Sequence, residues 1–144
     1  MATQIFVNLP VKDLTKSIAF FTQLGYTFNP QFTDENATCM VISDTIFVML
    51  LVEPFFRRFT KKKIADATTV TESIICLSAD SRQGVDELAD KALAAGGSVS
   101  NEPQDEGFMY SRSFQDVDGH LWEIMYMEPG AANQEPPTTE ASAA

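Results

Sequence analysis

Residues 6–26 read FVNLPVKDLTKSIAFFTQLGY, and residues 107–127 read GFMYSRSFQDVDGHLWEIMYM. The first stretch begins inside a strand, Gln4–Leu9, whose apolar residues partly alternate. Asp13 then has the short acceptor side chain of a helix N-cap. Leu14, Ile18, Phe21 and Phe20 or Leu24 fall on one helical face, and Gly25 stands where a helix stops. Tyr26–Phe32, Ala37–Ile42 and Ile46–Val52 read as three strands, the last two joined by the turn Ser43-Asp44-Thr45.

The same order then recurs. Ser73–Ala79 is a strand and Ser81 a cap. Val85, Leu88, Ala89, Ala92 and Leu93 share a helical face, which Gly96-Gly97 ends. Ser98–Asn101, Met109–Phe114 and Leu121–Met127 are three more strands, the last two joined by Asp116-Val117-Asp118-Gly119. Gly25 and Gly96 lie 71 positions apart, and Asp44 and Asp118 lie 74 apart. A common shift of this size marks two copies of one βαβββ unit. A four-stranded sheet with one helix covers only one of its faces. Two units pairing into a curved, cup-shaped sheet enclose the other, so the expected class is α+β. One domain over residues 1–128 is expected, with modules at about 3–52 and 72–128 and a polar connector at 53–71. Residues 129–144 (PGAANQEPPTTEASAA) carry no large apolar side chain and read as a disordered tail.

The 144 residues suffice for one domain with a real core. Their 44% apolar and 21% charged content is that of a globular chain. No apolar run approaches the ~18 residues of a membrane helix. MATQIFVNLP shows no cationic segment followed by an apolar one, so a cytoplasmic location is expected. A net charge of −10 argues against nucleic acid or an anionic membrane as partner, since both require a dense cationic face. Arg57, Arg58, Lys61, Lys62 and Lys63 form a local exception, read either as a solvated segment or as a patch for an anionic ligand. Cys39 and Cys76 lack metal-site spacing and read as two buried free thiols.

The two stretches quoted first resemble the vicinal oxygen chelate superfamily of glyoxalase I, bleomycin-resistance proteins and extradiol dioxygenases. The resemblance covers about residues 4–128 and is nearest to the subgroup of predicted lactoylglutathione lyases. It implies the glyoxalase/bleomycin-resistance/dihydroxybiphenyl-dioxygenase fold. It also implies four metal ligands, one from the first and last strand of each half, holding an ion that stabilises an enediolate. Those positions map to Phe6, to Met49 or Leu51, to Ile74, and to Glu123. Only Glu123 is a plausible ligand. Glu72, Glu53, Gln4 or Asn8 would have to complete a site for Zn, Ni, Mn or Fe.

Alternation in the last strand puts Glu123 with Leu121, Met125 and Met127, opposite Trp122, Ile124 and Tyr126. Glu123 is then a general base or a ligand-anchoring acceptor, or else an acid paired with Arg112 or solvent. Phe6, Asn8, Phe47, Met49, Leu51, Ile74, Cys76, Leu121 and Met125 are the expected cup lining, with Tyr110 and Arg112 as polar contacts at its rim. His120 reads as turn structure. A metal-free cup for a small aromatic or amphipathic molecule follows, in a homodimer and without a cofactor. The alternatives are a metal-dependent lyase, isomerase or dioxygenase using Glu123, and a protein–protein module.

Overall fold

A computed structural model describes residues 2–130. From residue 131 onward the expected tail lies outside the described residues. The first module comprises β1 (Ile5–Val11), α1 (Leu14–Gln23), β2 (Thr27–Asn29), β3 (Ala37–Val41) and β4 (Ile46–Val52). A short α2 (Glu53–Phe56) opens the connector. The second module comprises β5 (Ile74–Ser78), α3 (Arg82–Ala94), β6 (Ser98–Val99), β7 (Gln104–Asp105), β8 (Met109–Gln115) and β9 (Leu121–Met127). The duplication is therefore real, within a mixed α+β fold. One sheet runs β1-β4-β3-β2 and the other β5-β9-β8-β6, with β7 also on β8.

In each module the first strand pairs in parallel with the last, which requires the intervening helix as a crossover. The caps follow the sequence. Asp13 accepts from Lys16 N at 3.2 Å and Ser81 from Gly84 N at 2.9 Å. Gly25 and Gly96, at φ +103° and +113°, occupy left-handed backbone that a side chain would strain.

Pleating sends Leu9, Val11, Val48, Leu50 and Met40 of the first sheet, and Phe114, Trp122 and Ile124 of the second, into one core with both helices. Aromatic side chains carry that core across the module boundary. Phe20 meets Phe114 at 6.1 Å and Phe21 meets Trp122 at 5.3 Å between ring centroids. All four are essentially fully buried, each contributing about 1.5–3 kcal/mol of burial. That exceeds the ~0.5–1.5 kcal/mol of a typical hydrogen bond, so the modules are joined chiefly by apolar packing.

Three local expectations need correction. The strand read over Tyr26–Phe32 ends at Asn29, whose side chain accepts from Gln31 N at 2.9 Å and starts a 3-10 turn at Pro30. The strand read over Ser98–Asn101 stops at Val99. There, Asn101 N turns to donate to Ser113 Oγ at 2.9 Å. The helical turn expected around Phe55, Phe56 and Phe59 in the connector is present, with Phe55 and Phe59 packed edge to face at 5.3 Å. Cys39 is buried as expected, but Cys76 is exposed: it lies on β5, the terminal strand of its sheet, on the face away from α3.

Candidate functional site

Each sheet turns one face to the helices and the other away. On the outward face of the first, register pairs Phe6 with Phe47, Asn8 with Met49 and Pro10 with Leu51. Phe6 and Phe47 stack at 4.9 Å and 12°, yet Phe6 is 49% exposed. Leu51 and Cys39 behind them are buried. On the outward face of the second sheet, Ile74 pairs with Leu121, Cys76 with Glu123 and Ser78 with Met125. Ile74 is 54% exposed and Glu123 half-buried. The cup candidates thus form two patches, one per sheet. At the junction between the modules, Asn8 and Leu121 reach the same cleft.

Glu123 stands opposite Ser113 of β8 and Cys76 of β5. Partial shielding and the neighbouring Glu123 carboxylate both push the Cys76 thiol up. Cys76 is therefore a protonated donor toward Glu123 at neutral pH rather than a thiolate nucleophile.

Tyr110 and Arg112 are on the other side of their sheet. Arg112 pairs in register with Ile124, so it points toward α3. There Tyr110 Oη donates to Asp86 Oδ1 at 2.6 Å, and Arg112 Nη1 donates to Asp86 at 3.1 Å and Asp90 at 3.0 Å. An Arg112–Glu123 ion pair is thus not formed, because strand alternation separates the two by the thickness of the sheet.

The donor set does not fit a metal ion. Of the four strand positions, three hold Phe6, Met49 or Leu51, and Ile74. The substitutes are engaged elsewhere. Gln4 donates to Asp44 O at 3.4 Å, Asn8 donates to Phe6 O at 3.0 Å, and Glu53 is held by Lys12 at 3.1 Å and Arg57 at 3.7 Å. Glu72 lines the junction cleft. Among the described residues, no three of His, Cys, Asp and Glu are arranged so that they could hold a metal ion.

That cleft has a volume of about 330 Å³ and lies between β1, the 60–73 segment and the start of β9. Sequence reading missed it, and it missed the place of His120. His120 Nε2 is 2.7 Å from Pro10 O, and His120 lines the cleft. The turn before it is a latch. Asp118 accepts from Lys12 N at 2.9 Å and from Ser17 Oγ at 3.2 Å. The buried Asp116 carboxylate accepts from Trp122 Nε1 at 3.0 Å, Asp118 N at 2.9 Å and His120 N at 3.0 Å. Burial pushes the Asp116 carboxyl up, against the pull of these donors and of His120. Gly119, at φ +93°, lets the connector dock, since a Cβ there would sit 2.8 Å from Ala67 O. The advance signals for the cleft were the basic cluster, of which Lys62 and Lys63 line it, and the site candidates Asn8, Glu72 and Leu121, which line it too.

A model described as bleomycin resistance protein-like N-terminal matches residues 3–43. Among solved structures, hypothetical protein SA1046 from S. aureus is similar at 30% identity, with a TM-score of 0.73 over 88% of this chain and 95% of that one. A glyoxalase/bleomycin resistance protein/dioxygenase family enzyme from Burkholderia phytofirmans PsJN aligns at 16% identity and a TM-score of 0.72, covering 88% and 99%. The fosfomycin resistance protein FosX from Mesorhizobium loti aligns at 16% and 0.68, covering 93% and 99%. No curated protein matches the chain.

Proposed function

We propose, for a chain that belongs to the vicinal oxygen chelate superfamily, that it binds a small aromatic or amphipathic molecule without a resident metal ion. The observation that carries this reading is the half-exposed Phe6, stacked on Phe47 on a strand face that the helices do not cover. An exposed aromatic pair beside Met49 offers a flat apolar platform with an adaptable neighbour. Leu121 and Met125 extend the apolar lining on the second sheet, where Glu123 is the carboxylate acceptor for a donor group on the ligand. The resistance proteins and glyoxalase-related enzymes sharing this architecture support a small molecule as the partner.

A metal-dependent lactoylglutathione lyase using Glu123 as ligand or base is the competing reading. It requires three more donors than the strand positions supply. The same proposal includes a homodimer, whose second copy would cover exposed apolar side chains such as Ile74, and a cytoplasmic location.

Two measurements test the reading. Protein purified without an affinity tag should contain far less than one Zn, Ni, Mn or Fe per chain by elemental analysis. About one ion per chain would overturn it. Titration with the aromatic dye 8-anilinonaphthalene-1-sulfonate should show binding that Met49→Trp weakens roughly tenfold, about 1.4 kcal/mol, by filling the space the dye takes beside Phe6 and Phe47. Unchanged affinity would mean that the Phe6–Phe47 face is not the binding surface.

A further inference from the structure

We infer that the cleft between the modules is a separate site for a small monoanion with an apolar body, such as a medium-chain carboxylate. It is distinct from the Phe6–Phe47 platform. Its walls are Leu9, Phe56, Ile64, Val70, Ile75 and Leu121. Both strands at its floor, β1 and β5, are terminal in their sheets, so the 60–73 segment covers them where a further strand would otherwise pair. The cover is held in place. Ala67 O packs against Gly119, and within the segment Asp66 accepts from Thr68 N at 3.0 Å. Segment and edge strands together form an open-mouthed cleft.

Charge selects the ligand class. Lys62 and Lys63 line the cleft and form no ion pair among the described residues, whereas Lys12, Arg57, Arg82 and Arg112 all do. A ligand carrying a negative charge would complement these two cations. Glu72 also lines the cleft and offsets one of them, leaving one lysine in surplus. One anionic group therefore balances the site. The volume of about 330 Å³ lies at the lower end of the roughly 300–1,000 Å³ of ligand pockets. At ~30 Å³ per water it equals on the order of ten waters, which suits about ten non-hydrogen atoms.

Octanoate has that size and charge. The test follows backbone amide signals of the full chain by NMR while octanoate, octan-1-ol and acetate are titrated separately. Octanoate should shift signals from Ile64 to Ser73 and from Gly119 to Leu121, and should bind more tightly than either control. Lys62→Ala combined with Lys63→Ala should weaken octanoate about fivefold, as expected for partly exposed charge pairing, and octan-1-ol much less. Equal affinity for octanoate and octan-1-ol would remove the anion. Equal affinity for octanoate and acetate would remove the cleft. Shifts confined to Phe47 and Met125 would assign octanoate to the outward face instead. Each of these three results overturns the inference without touching the dye and metal tests above.

Discussion

Asp116 shows how one side chain can serve a whole turn. Its two oxygens receive three N–H donors, one of them the indole of the buried Trp122. Asp116→Asn keeps the size but faces an amide N–H₂ toward one of those donors, leaving a buried polar group unsatisfied. The expected cost is about 1–3 kcal/mol, read from the midpoint of urea unfolding. Alternation along β9 was enough to separate Glu123 from Trp122, because a two-residue period is local. The contact of His120 with Pro10 was not readable, since it spans 110 positions and depends on how the modules meet. The exposure of Cys76 was hidden for the same reason: an apolar sequence does not say which strand ends the sheet.

Between elements, α3 and β8 are tied by Asp86. Its carboxyl is held below the ordinary value of 3.8, first by the hydrogen bond from Tyr110 and then by Arg112. A depressed folded value stabilises the protein fully above 3.8, and that contribution disappears as pH falls through the folded value. Tyr110→Phe should therefore shrink the difference in melting temperature between pH 7 and pH 2.5. A wild-type-sized difference would show that Asp86 does not report this contact. The helices, their caps and the two final hairpins were legible because acceptor caps, stop glycines and turn acids act over three or four residues. The end of β2 and the brevity of β6 were not, because the side-chain bonds of Asn29 and the backbone bond of Asn101 compete with strand pairing there.

At the scale of the whole molecule, the shared core makes two sequence repeats one cooperative unit. Phe114 lies against both Phe20 of the first module and Trp122 of the second. Phe114→Ala should cost about 3–5 kcal/mol, a large part of the ~5–15 kcal/mol that holds a domain of this kind together. Circular dichroism and Trp122 fluorescence should still report one coincident transition. Separate transitions would show that the modules fold independently. The duplication was legible from spacing alone, but the aromatic seam and the cleft beside it were not. Both lie at the meeting of repeats, where the pattern within each repeat is silent.

The attachment of Asp118 to Ser17, 101 positions upstream, also sets a schedule for the growing polypeptide. At roughly 5–20 residues per second of synthesis, the N-terminal strand and helix wait about 5–20 s before their last partner leaves the ribosome. During that interval Phe20 and Phe21 have no aromatic seam to enter. The early half thus spends that interval with the apolar face of its helix uncovered by the second module.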